Sequence, residues 1–169
     1  KSDEPLRFVE SRPLPEKVTS ITISKDAAGR YFVAFQGEAE KALRPVTDKA
    51  IGIDLGLTHF IATSAGEKIE APKIYRKHEA NLARYQRAMS RKVKGSKNRN
   101  RARVKVARLH ARIADTRKDF LHKLSTRLVR DYTLIAVGNV SAAKLAKTTM
   151  AKSVHDASWS TFRNMLRYK

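Results

Sequence analysis

The sequence contains no cysteine. That excludes disulfides, thiol catalysis and cysteine-based zinc sites within these residues, and it fits a reducing cytosol. No apolar run approaches the roughly 20 residues a membrane helix needs, and no signal-like apolar segment opens the chain. Proline is sparse, with 5 in 169 residues, and three of them (Pro5, Pro13, Pro15) fall in the first 17. That stretch reads as irregular or edge structure. Aromatic residues make up only 7%. Acidic residues are the scarcest class relative to their opposites, with 16 Asp and Glu against 36 Lys and Arg. What remains is 41% apolar, enough for a real core. The chain opens on Lys1 instead of Met and closes on Arg167-Tyr168-Lys169, so a piece of a longer protein is expected.

The net charge of +20 is not spread evenly. Residues 1–73 hold 11 basic and 11 acidic groups, residues 74–131 hold 19 and 4, and residues 132–169 hold 6 and 1. The whole excess lies after residue 73. Such density repels itself, so a polyanionic partner is expected to offset it. Three readings compete: a solvated basic helix, an anionic membrane and nucleic acid. The basic segment lacks the wide Trp/Phe/Leu face that an interfacial helix buries, which argues against a membrane. Nucleic acid fits best, because Lys and Arg that neutralise phosphates release counterions and give salt-sensitive, sequence-blind affinity.

Hydrophobic periodicity predicts the elements. Val18 to Ser24 alternates as a half-buried strand, Asp26 to Gly29 turns, and Tyr31 to Gln36 is a second strand. Residues 37–49 read as a linker. Ile51 to Gly56, Thr58 to Ser64 and Glu67 to Ala71 predict a three-strand meander. Ile74 to about Arg91 is predicted helical, residues 92–100 a turn, and about Arg101 to Arg130 a long helix with Val106, Leu109, Ile113, Phe120, Leu124 and Leu128 near one face. The two helices form an antiparallel basic hairpin. Thr133 to Val137 is predicted as a buried strand of the parallel type. Residues 141–152 suit a short helix or loop, and Asp156 is placed to cap a last helix carrying Trp159, Phe162 and Leu166.

Asp54 is the one carboxylate inside an apolar strand, between Ile53 and Leu55 and framed by Gly52 and Gly56. Burying it without a partner is costly, and at a strand its side chain points away from its neighbours, so its face is free to open to a cleft. Ribonuclease-H-like nucleases place such a carboxylate on a first strand to hold metal. Actin-like ATPases use Asp-x-Gly-x-Thr, which Asp54-Leu55-Gly56-Leu57-Thr58 also matches. A structural Asp at a strand end is the third reading. The basic hairpin favours the nuclease. Two-ion hydrolysis needs ions about 4 Å apart, which one carboxylate does not hold, so further acids must converge on Asp54. The five histidines, 59, 78, 110, 122 and 155, show no paired metal spacing.

Four segments in order carry a resemblance: Ile51-Gly52-Ile53-Asp54-Leu55-Gly56-Leu57, Ser90 to Arg99, Arg117 to Ser125, and Ala151-Lys152-Ser153 with Trp159 and Phe162. Together they resemble the TnpB/OrfB proteins of bacterial insertion sequences, RNA-guided DNA endonucleases historically called transposases and related to type V CRISPR effectors. The resemblance implies an α/β fold. Residues 1–49 would be the last strands of an oligonucleotide-binding-type wedge barrel. Residues 50–169 would be an incomplete RuvC/ribonuclease-H-like mixed sheet with the helical hairpin, about 74–131, inserted. It implies that Asp54 is a catalytic, Mg²⁺-binding carboxylate. It implies guide RNA and target DNA as partners, no membrane, and a cytoplasmic, nucleoid-associated bacterial location. Arg76, Lys77, Arg84, Arg87, Arg91, Lys92, Lys94, Lys97, Arg99, Arg101, Arg103, Lys105, Arg108 and Arg112 would grip nucleic acid. Zn²⁺ would belong only to a C-terminal ribbon beyond this chain.

The sequence departs from the family at one place. The family commonly carries Glu just after the strand at 133–137, whereas this chain reads Val137-Gly138-Asn139-Val140. Two expectations follow: a substitute acid from elsewhere, or a protein that binds under RNA guidance without cutting. A plain RNA-binding protein that uses only the hairpin is the third alternative.

Overall fold

The computed structural model describes residues 5, 7–11, 13–38, 47–56, 58–138 and 158–169. The chain divides into two compact units, Lys1–Leu43 and Arg44–Lys169. In the first, β1 (Lys17–Lys25) pairs antiparallel with β2 (Tyr31–Glu38), from Lys17 opposite Glu38 to Lys25 opposite Tyr31, with a bulge between Val18 and Ser20. Asp26 closes the turn. It accepts from the Arg30 backbone N–H and guanidinium, which hold its carboxyl below the usual range. The second strand runs two residues further than alternation predicts, through Gly37 and Glu38. The half-buried reading of the first strand does not hold. All nine residues of β1 are exposed, Ile21 at 59% and Ile23 at 56%. Alternation records which side chains share a face, and a two-stranded ribbon leaves that face uncovered unless something packs on it.

The second unit is a mixed α/β structure. β3 (Ala50–Leu55), β4 (His59–Thr63) and β5 (Lys68–Glu70) form the predicted antiparallel meander. α1 (Ile74–Ser90) and α2 (Lys97–Asp131) follow, and then β6 (Leu134–Val137) returns parallel to β3, with Ile51 opposite Ile135 and Ile53 opposite Val137. The strand order is β5-β4-β3-β6. α3 (Trp159–Tyr168) packs on α2. Residues 141–152 and Asp156 lie outside the described residues.

Alternate residues of β3, Ile51, Ile53 and Leu55, are buried in one core with Phe60, Ile61, Leu121, Leu124, Leu128, Trp159, Phe162 and Met165. Phe60 is its pivot, edge-on to Phe120 of α2 and to Phe162 of α3, each at 5.2 Å between ring centres. In α2 the fully buried Leu121 lies outside the predicted stripe, whereas Phe120 of the stripe is only partly buried and Leu128 fully so. Lys169 fastens the end of α3 to α2, donating to the His122 carbonyl at 3.0 Å and the buried Ser125 hydroxyl at 2.8 Å. β6 is not the buried strand its apolar run predicts. Leu134 is 64% exposed, because among the described residues β3 alone pairs with it.

α2 begins four residues before its predicted start. Ser96 is extended and its hydroxyl accepts from the Arg99 N–H at 3.1 Å, a side-chain N-cap that lets the polar stretch 97–100 enter the helix. Ser96→Ala is expected to destabilise the protein by about 1 kcal/mol. The change is read from chemical denaturation followed at 222 nm, and Ser96→Asp should recover most of it.

Candidate functional site

The pleat that sends Ile53 and Leu55 into the core sends Asp54 to the other face, where it is exposed. Its cross-strand partner on β4 is Ala62. On its other side the parallel register brings Gly138, the residue after β6. The Gly138 N–H donates to the Ile53 carbonyl at 2.9 Å. A β-carbon at position 138 would stand 3.0 Å from Asp54 Oδ1. Position 138 is therefore the immediate neighbour of the Asp54 carboxylate, and here it is bare backbone. Gly56 admits no ligand, because a β-carbon there would meet the His59 carbonyl at 2.9 Å and the space belongs to the chain's own bend.

Arg163 of α3 reaches the same place. Its Nη2 donates to the Gly138 carbonyl at 2.7 Å. It stands in a groove of about 530 Å³ along β6 that is also lined by Tyr132, Leu134, Val137 and Arg167. Nothing in the sequence marks Arg163, since the contact depends on how α3 folds back.

Among the described residues no three His, Asp or Glu side chains gather as metal ligands. Asp54 offers one hard oxygen donor of the kind magnesium takes, and Gly138 offers no side chain beside it. The described residues alone do not fit a two-ion site.

The cations sit where the predicted hairpin places them. Arg76, Lys77, Arg84 and Arg87 are exposed along α1, whose buried residues are Ile74 and Leu82. The Arg84 guanidinium lies 5.3 Å from the Tyr85 ring centre. Arg91, Lys92 and Lys94 are exposed in the turn, and Lys97, Arg101, Arg103, Lys105, Arg108 and Arg112 along α2. Arg99 differs. It is half-buried and its Nη1 donates to the carbonyls of Met89 at 3.2 Å and Lys92 at 3.1 Å, closing the end of α1. No helix among the described residues is long and apolar enough to cross a membrane.

Fold and site together define a strongly basic, mixed α/β protein with one exposed carboxylate at the end of its central strand. The family model OrfB_IS605, described as "Probable transposase", matches residues 34–149. The chain belongs to this family, the TnpB/OrfB proteins. It is 49% identical over 172 residues to a "Putative RNA-guided DNA endonuclease" of Streptomyces pristinaespiralis, covering 100% of this chain and 43% of the relative. It is 30% identical over 182 residues to "Putative RNA-guided DNA endonuclease InsQ" of Escherichia coli K12, covering 97% of this chain and 45% of the relative. The chain thus spans less than half the length of these relatives.

Proposed function

We propose that the protein acts as an RNA-guided DNA endonuclease with a RuvC-like site, in which Asp54 is the first acid and the cationic hairpin holds nucleic acid. The observation that carries this reading is the position of Asp54. It is exposed at the end of the meander's first strand, and the end of the parallel β6 lies directly beside it. That is where a RuvC-like site brings its first two acids together. The names of the relatives and the 14 basic residues against one acid between 74 and 114 support guide RNA and target DNA as partners. In this reading Mg²⁺ joins Asp54 only with acids from outside the described residues. The first unit would be the end of a wedge-type barrel.

Gly138 favours a second reading, an RNA-guided binding protein that does not cut. One experiment separates the two. RNA that co-purifies with the intact protein is sequenced, and a duplex carrying the matching segment is offered in Mg²⁺. Cleavage that moves when the guide is changed is the expected result. Guide-dependent binding without cleavage would select the second reading, and cleavage indifferent to the guide would overturn both.

A further inference from the structure

Gly138 is held from two sides. Its N–H donates to the Ile53 carbonyl at 2.9 Å, which carries the pairing of β3 and β6 one residue past Val137. Its carbonyl accepts from Arg163 Nη2 at 2.7 Å, the short contact of a charge-assisted hydrogen bond. That second bond comes from a helix, and α3 is a firm mount for it. Trp159, Phe162 and Met165 sink into the core, and Lys169 ties the far end of the helix to α2. The guanidinium is itself partly desolvated. Its Nε is buried and meets no hydrogen-bond acceptor among the described residues. A buried N–H without a partner costs free energy, and the Gly138 contact offsets part of that cost.

We infer that Arg163 is a positioning residue for the proposed site: it clamps the peptide after β6, so that the chain stays beside the Asp54 carboxylate. The inference rests on the proposed function and adds a residue to it. β6 is only four residues long, and among the described residues it pairs with β3 alone. Its end therefore has no second strand to hold it. The residue to be held is a glycine, whose backbone has the widest freedom of any residue. The clearance is also small, since a β-carbon at 138 would stand 3.0 Å from Asp54 Oδ1. A backbone shift there changes what lies against the carboxylate, and a misplacement of about 1 Å near reacting groups costs about 10²-fold in rate. A guanidinium suits the task because it stays charged at any working pH and donates in a fixed plane. Its partner is a backbone carbonyl, and its effect reaches Asp54 through Gly138.

Arg163→Met in the intact protein tests this, since it keeps an unbranched apolar stem and removes every donor. Hydrogen exchange of the Gly138 amide is compared with that of Gly52, whose N–H donates to the Ser64 hydroxyl at 3.0 Å in the same sheet. The variant should speed exchange at Gly138 by about tenfold, the worth of one lost hydrogen bond, and leave Gly52 unchanged. In the guide-loaded protein kcat for target cleavage should fall by about 10- to 100-fold with target binding unchanged, because the clamp acts on the reacting geometry and not on affinity. Arg163→Lys keeps a charged donor and should recover most of both losses. Faster exchange at Gly52 as well, or loss of the fold, would make Arg163 a support of the whole sheet and overturn the inference. Slower cleavage with Gly138 exchange unmoved would put Arg163 on the nucleic acid directly and overturn it too. Faster Gly138 exchange with cleavage unchanged sinks the inference alone and leaves the proposed function standing. If the parent protein cleaves under no guide, the cutting reading and the inference fall together.

Discussion

Asp54→Asn in the intact, guide-loaded protein is expected to lower target cleavage by about 10²–10³-fold, the order lost when one essential electrostatic group leaves a reacting centre. Binding of the target should hold or tighten. Asp54 is exposed and is in no described ion pair, so the substitution leaves no partner stranded. It also removes a negative charge from a protein of net +20 that meets a polyanion. The fold should tolerate the change, because an exposed polar substitution away from the core typically shifts stability by less than about 0.5 kcal/mol. Cleavage lost, binding kept and the unfolding midpoint unmoved is a pattern that a structural Asp at a strand end would not produce. Cleavage that survives would remove Asp54 from the chemistry and leave the hairpin as the protein's one nucleic-acid feature.

Much of this arrangement is legible in the sequence where the signal is local. The meander announces itself through short apolar runs separated by the Ala65-Gly66 turn, and the long helix of the hairpin through the stripe that includes Val106, Ile113, Leu124 and Leu128. The exposure of Asp54 follows from pleat geometry alone. The failures have a common physical origin. Burial of β1 and β6 depends on what covers them, and periodicity cannot report a missing neighbour. The start of α2 depends on one hydroxyl, Ser96, and the four residues after it carry no apolar stripe to reveal a helix. A count of cations cannot separate Arg99, which ties down carbonyls, from Arg101, which faces water. The nearness of Gly138 to Asp54 joins residues 84 positions apart through a parallel register, and no local pattern encodes it.

Phe60→Ala is expected to produce the largest loss of stability, about 3–5 kcal/mol, and to do so without touching the cationic surface of the hairpin. Phe60 is 1% exposed and stacks edge-on against Phe120 and Phe162. Truncation opens a cavity where the sheet meets both the distal part of α2 and α3, and it removes two aromatic contacts worth about 0.5–1.5 kcal/mol each. Against the roughly 5–15 kcal/mol that holds a typical domain together, this is about a fifth of the total or more. Phe60→Leu keeps most of the volume and should cost well under half as much, which separates a cavity from a general intolerance at the site. Both are read from urea titrations at 222 nm and in near-ultraviolet dichroism around the buried Trp159. The unit would loosen at its sheet end first. The salt slope of duplex binding should stay unchanged as long as the variant is folded, because the cations from Lys97 to Arg112 stand on the part of α2 that packs through Ala102, Val106 and Ile113, away from Phe60. A variant that lost duplex affinity while still folded would mean that the cationic surface is held in place from the sheet, and not by the helical hairpin alone.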